Sequence, residues 1–143
     1  MRVLVIDGQG GGLGKLLVSS LKDVENIRIT AIGTNSIATG AMLKAGAKEA
    51  ATGENAVIVG CRTADIIVGA VGIAIADSLL GEITPAMANA VGGSSAQKIL
   101  IPLNKCDITI CGCGGKTMTA YVAEAVELIR KAAADPDDHT DGQ

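Results

Sequence analysis

The chain opens Met1-Arg2-Val3-Leu4-Val5-Ile6-Asp7-Gly8-Gln9-Gly10-Gly11-Gly12-Leu13-Gly14-Lys15. Arg2 to Ile6 is an apolar strand of the kind buried on both faces of a parallel sheet. Five glycines in seven residues follow, Gly8 to Gly14. From Gly14 to Leu21 the apolar residues Leu16, Leu17 and Leu21 then take helical spacing. A strand, a glycine turn and a helix in this order place free backbone N–H groups and a positive helix end together, which suits an anion.

Three phosphate-loop patterns test that turn. The pattern G-x-x-x-x-G-K-[ST], aligned on Gly14-Lys15, fails at Gln9 and at Leu16, and Leu16 removes the magnesium-binding hydroxyl. The pattern G-x-G-x-x-G fits no register, because it meets Leu13 or Lys15 at its last position. The spacing G-x-x-x-G-x-G fits Gly8, Gly12 and Gly14 and resembles the turn of short-chain dehydrogenase-type domains. The dehydrogenase machinery itself is missing. The second strand ends Gly33-Thr34-Asn35, with no acid for an adenine ribose and no Arg for a 2′-phosphate. Tyr121 is not followed by a lysine four residues on, so short-chain reductase chemistry is excluded.

Outward from the turn, strands and helices alternate. Strands are expected at 27–32, 47–51, 65–70 and 98–103, with a sixth at 107–111. Helices are expected at 37–45, at 54–62 behind Thr52 as cap, at 72–80, from Thr84-Pro85 to about Val91, and at 117–133. This alternation predicts a three-layer α/β sandwich of the Rossmann type. Its sheet is mostly parallel, with five to six strands and helices on both faces. One domain over residues 1–134 is followed by the acidic stretch 135–143, whose composition is that of a disordered tail.

Composition removes whole classes of function. Among 143 residues there is no Trp or Phe, and Tyr121 and His139 stand alone. His139 lies in the tail, so the body has no Ser-His-Asp or Cys-His couple. Without aromatic platforms, single-stranded nucleic acid has nothing to stack on. The formal charge of −3 divides unevenly: residues 1–134 carry 12 Lys and Arg against 11 Asp and Glu, and the tail holds four acids. A near-neutral body with scattered charges is not a nucleic-acid footprint. The apolar run from Ile66 to Ala76 is half a membrane span, and Asp7 comes too early for a signal-peptide core. The expectation is a cytoplasmic protein with no nucleic-acid or membrane partner. Its thiols, Cys61, Cys106, Cys111 and Cys113, then read as reduced residues rather than disulfides. The spacing of the last three is not that of a zinc knuckle, and no metal site is assigned.

Ligands of open α/β sheets lie beyond the carboxyl ends of the strands. The expected pocket therefore gathers Asp7, Gly8, Gln9, Gly10, Gly11, Gly12, Leu13, Gly14 and Lys15 with Thr34, Asn35, Thr52, Gly53, Glu54 and Asn104. An acid at position 7 disfavours a dianion, yet an acid there also holds a ribose, a metal or a loop amide. Besides Asp7 and Asp77, Glu54 and Glu82 are the acids near this rim that could do proton work, and Glu82 has the alternative role of favouring a helix N-terminus.

Several phrases recur together in one family: Ile6-Asp7-Gly8-Gln9-Gly10-Gly11-Gly12, Gly33-Thr34-Asn35, Ala41 to Ala47, Ala51 to Ala56, Gly81-Glu82-Ile83-Thr84-Pro85 and Ile99 to Asn104. The chain resembles, over about residues 1–105, the small bacterial proteins grouped as domain of unknown function 3842. The resemblance implies a stand-alone Rossmann-like domain of anaerobic-type bacteria without an assigned activity, and it adds no catalytic residue. The Cys111-Gly112-Cys113 segment and the tail look particular to this chain.

Three readings remain open on sequence. The first is a nucleotide- or dinucleotide-binding protein that takes NAD(P), or another phosphate-containing small molecule, at Gly8–Gly14. The second is an enzyme on a small phosphorylated or carboxylated metabolite, with Glu54 or Asp7 as acid/base. The third is a non-catalytic regulatory or assembly subunit in which Val71 to Leu80 forms a homodimer face; a core helix is the plainer account of that stretch.

Overall fold

The computed structural model describes residues 1–103 and 108–135. Five strands form one parallel sheet: β1 (Arg2–Asp7), β2 (Arg28–Gly33), β3 (Glu49–Thr52), β4 (Ile66–Ala70) and β5 (Gln97–Ile101). Their spatial order is β3-β2-β1-β4-β5, so the winding reverses at β1. That is the doubly wound arrangement, and its switch point lies between β1 and β4.

The sheet is buried on both faces because β1 is apolar at every position from Val3 to Ile6. Val3 and Val5 enter one core with Leu13, Leu17, Val18 and Leu21 of α1 (Gly12–Leu21) and Met42 of α2 (Ser36–Lys44). Val122, Val126 and Ile129 of α5 (Met118–Ala134) complete that layer. Leu4 and Ile6 enter the opposite core with Val57 and Cys61 of α3 (Glu54–Thr63). Met87 and Val91 of α4 (Pro85–Gly93) share that layer. A side-chain period of two therefore feeds two helical layers from one strand. Each fully buried Leu, Ile or Val contributes about 1.5–3 kcal/mol, which is why the central strand anchors the domain.

Local chemistry sets the helix ends. Thr84 accepts from the Met87 N–H and Pro85 takes the first helical position, as expected. Thr117 caps α5 in the same way. Asn35 caps α2 by accepting from the Ala38 N–H at 2.9 Å.

Three expectations are corrected. Thr52 does not cap α3, whose N-cap is Gly53 without a side-chain bond; the Thr52 hydroxyl pairs instead with the Thr39 hydroxyl at 2.7 Å. No helix runs over 72–80. A 3-10 turn at Val71–Ala74 gives way to a folded-back loop in which Asp77, Leu79 and Leu80 all have positive φ. The apolar residues there satisfy two anchor points, Ile73 and Leu79, rather than one helical stripe. Finally, residues 108–111 form no strand; the rest of that expected element, with Asn104 and Cys106, lies outside the described residues.

Candidate functional site: the glycine turn at the switch point

β1 delivers Asp7 to the carboxyl edge of the sheet, opposite Gly33 of β2. The Asp7 side chain is buried, and its two oxygens are used separately. The Gly8 N–H donates to Oδ1 at 2.8 Å, and the Gly14 N–H donates to Oδ2 at 2.6 Å. The acid thus ties the start of the turn to the first turn of α1. Of the roles open to an acid here, the loop-amide role is the one observed.

The five glycines separate into two groups. A Cβ on Gly8 would lie 2.8 Å from both the Glu82 carboxylate and the Thr34 hydroxyl. On Gly14 it would lie 2.6 Å from Met42 Sδ and 2.8 Å from Asp7 Cβ. Gly11 has φ +73° and would meet the Ala38 backbone at 2.7 Å. These three are glycine because the chain packs against them. Gly10 and Gly12 differ, since a Cβ on either would meet nothing within 4 Å. Neither has the left-handed φ that favours glycine. No packing contact accounts for their bare backbones.

The amides here are poised as donors. Lys15 N–H closes the first helical bond to the Gly11 carbonyl, and Gly14 N–H is held by Asp7. Gly12 and Leu13 precede that bond, so their N–H groups have no acceptor within the helix. Beside them opens a cavity of about 290 Å³, walled by Asp7 to Leu13 on one side and by Ala70, Val71 and Gly72 at the end of β4 on the other. Leu79, Leu103, Ile108 and Met118 line the remainder. Among the described residues no Lys or Arg lines it; those that do present the turn backbone with Asp7 and Gln9 on one wall and mainly apolar side chains elsewhere.

On the β2 side of the turn stands Glu82, an acid the sequence placed near the rim without joining it to the turn. The Glu82 carboxylate accepts from the Gln9 N–H at 2.8 Å, from Asn35 Nδ2 at 3.0 Å and from the Thr34 hydroxyl. Asn35 Nδ2 also reaches the Gln9 carbonyl at 3.0 Å. Burial pushes the Glu82 carboxyl up, but the bonds from Thr34, Gln9 and Asn35 outweigh it and leave the group below its ordinary range. The loop that carries Glu82 is fixed by Asp77 N–H on the Ile83 carbonyl at 2.7 Å and by the Ser78 hydroxyl on the Gly72 carbonyl. Glu82 and Gln9 are 73 positions apart, so no local pattern joins them. The available signals were the acid missing at the end of β2 and the position of Glu82 near the rim.

The remaining expected residues disperse. Thr34 and Asn35 border the turn, engaged with Glu82. Lys15 is exposed on α1 and does not line the cavity. Thr52 and Gly53 are held at the edge of the sheet, Gly53 by its N–H on the Gly33 carbonyl at 2.9 Å. Glu54 is exposed in the first turn of α3. None of these three reaches the cavity. Asn104 lies outside the described residues. Among the described residues, no three His, Cys, Asp or Glu converge on a metal position. No helix among them is long and apolar enough to cross a membrane.

No curated protein matches the chain in sequence. A solved structure described as a dodecameric FMN-dependent Ubix-like decarboxylase from Escherichia coli O157:H7 shares the fold. It has a TM-score of 0.51 and 15% identity, covering 100% of this chain and 99% of the other. A family model matches residues 2–134, a range that spans Cys111-Gly112-Cys113 and α5 and so extends beyond the resemblance over residues 1–105. The chain belongs to the family described as Domain of unknown function (DUF3842).

Proposed function

We propose that this protein binds a nucleotide-type small molecule in the cavity at the β1–β4 switch point, with its phosphate on the Gly10, Gly12 and Leu13 amides, the Gly11 N–H being held by the Gly8 carbonyl at 3.0 Å. The observation that carries this reading is the pair Gly10 and Gly12. Both are bare where a Cβ would meet nothing, on the wall of a cavity at the end of a helix. Backbone left open without a packing reason suits close approach by a ligand. The aliphatic walls suit a flat apolar ring system, and a few polar groups among apolar ones is the usual make-up of a ligand pocket. The similar structure is described as FMN-dependent, which makes FMN the first ligand to try.

Binding is favoured over catalysis. Both Asp7 oxygens hold loop amides, and Glu54 is exposed and away from the cavity, so neither is placed as an acid/base facing a ligand. Asp7 lies beneath the helix end, and among the described lining residues the backbone amides and the helix dipole are the groups that favour a phosphate.

Thermal denaturation with FMN, ADP, NAD and inorganic phosphate tests the reading. A ligand at 100 times its dissociation constant adds about 2.7 kcal/mol of stability. A melting temperature unmoved by every one of them at millimolar concentration overturns it.

A further inference from the structure

We infer that Glu82 makes the site selective for a mononucleotide, closing the half of the fold where a dinucleotide would lay its adenylate. This rests on the nucleotide reading above and extends it to the class of ligand. In doubly wound domains the adenylate lies along the β1–β2 half, and an acid at the end of β2 receives its ribose hydroxyls. The end of β2 here is Gly33-Thr34-Asn35, and its two polar side chains both donate to Glu82. The Gln9 N–H, one of the turn amides, is likewise taken by Glu82 at 2.8 Å.

The closure is steric as well as polar. Glu82 Oε2 would lie 2.8 Å from a Cβ on Gly8, and Leu79 Cδ1 would lie 3.0 Å from it, so the loop rests directly on the turn. Leu79 also walls the cavity on the β4 side, so one loop caps the β2 side and shapes the β4 side. A carboxylate against the turn repels a second phosphate crossing it. The three donors that would bind an adenylate phosphate or ribose already serve an internal anion. On the β4 side the described residues that line the cavity, Ala70, Val71 and Gly72 among them, carry no acid.

FMN and FAD isolate this half, because they share ring and ribityl phosphate and differ by the AMP unit alone. Their dissociation constants are measured by calorimetry for the full chain and for Glu82→Ala and Glu82→Gln, with circular dichroism confirming that each variant folds. The wild-type chain is expected to bind FMN at least about tenfold more tightly than FAD. Glu82→Ala, which frees the Gln9, Thr34 and Asn35 donors, is expected to lower that ratio about tenfold or more. Glu82→Gln keeps the volume and loses the charge, so it lowers the ratio by a smaller factor. Equal binding of FMN and FAD by the wild-type chain overturns the inference. So does a ratio unchanged in both folded variants, or FAD binding that disappears with Glu82→Ala, which would make Glu82 a ribose ligand. Absence of binding by either flavin overturns this inference; if ADP, NAD and phosphate also leave the melting temperature unmoved, the nucleotide reading falls with it.

Discussion

Asp7 and Gly14, seven positions apart, are joined by a 2.6 Å hydrogen bond from the Gly14 N–H to the Asp7 carboxylate. With the Gly8 N–H on the other oxygen at 2.8 Å, one buried side chain closes the whole turn. Asp7→Asn puts an amide where the second carboxylate oxygen was, facing a backbone donor it cannot accept. Bonds to a charged group contribute about 1.5–3 kcal/mol each, so the variant is expected to lose about 3 kcal/mol. A urea denaturation midpoint unchanged from wild type would show that the carboxylate does not hold the turn.

Gly8→Ala and Gly10→Ala are expected to fail in opposite ways. The first drives a methyl against Glu82 and Thr34 and destabilises the fold by about 1–3 kcal/mol. The second meets no atom, leaves the melting temperature within a few degrees of wild type, and weakens ligand binding by crowding the cavity wall. Equal stability losses in the two variants would remove the distinction between packing glycines and ligand-facing ones.

The Glu82 clamp has a defined pH window. Because the folded carboxyl lies below its ordinary range, its contribution is fully present above the unfolded value, about 4.3, and is lost as pH falls through the folded value. Between pH 5 and 8 stability is expected to be insensitive to this group. Below about pH 4 the wild-type chain is expected to lose stability faster than Glu82→Gln. Parallel acid-denaturation curves for the two proteins would contradict that sign.

Leu80 is 94% exposed with φ +58°, a conformation that disfavours a branched side chain. Leu80→Gly removes that penalty and sacrifices no buried surface. It is expected to stabilise the protein by about 1 kcal/mol. By contrast Leu17→Ala, fully buried in the core beside β1, is expected to cost about 2–5 kcal/mol. A destabilised Leu80→Gly protein would mean that Leu80 is covered in solution, and sedimentation would then show an assembly.

By itself the sequence determined the layers. The all-apolar run Val3 to Ile6 requires burial on both faces, the alternation of strands and helices requires crossovers, and the glycine cluster after β1 marks the turn at the sheet edge. These are local patterns with periods of two and of 3.6, and each is legible within a few residues. The cap at Thr84 was legible for the same reason, whereas Thr117, expected as the first helical residue, is the cap of α5. The site was legible only at its first strand. Whether Asp7 serves ligand or loop, and which glycines face space, depends on what lies across a gap. Only the tertiary structure brings Met42 to Gly14, Thr39 to Thr52, and Glu82 to Gln9 and Thr34. The loop from Asp77 to Ile83 shows why. Its apolar composition matches a helix, yet burial of Leu79 and Ile83 together with the Glu82 bonds on the turn holds its backbone in left-handed conformations that no local preference selects.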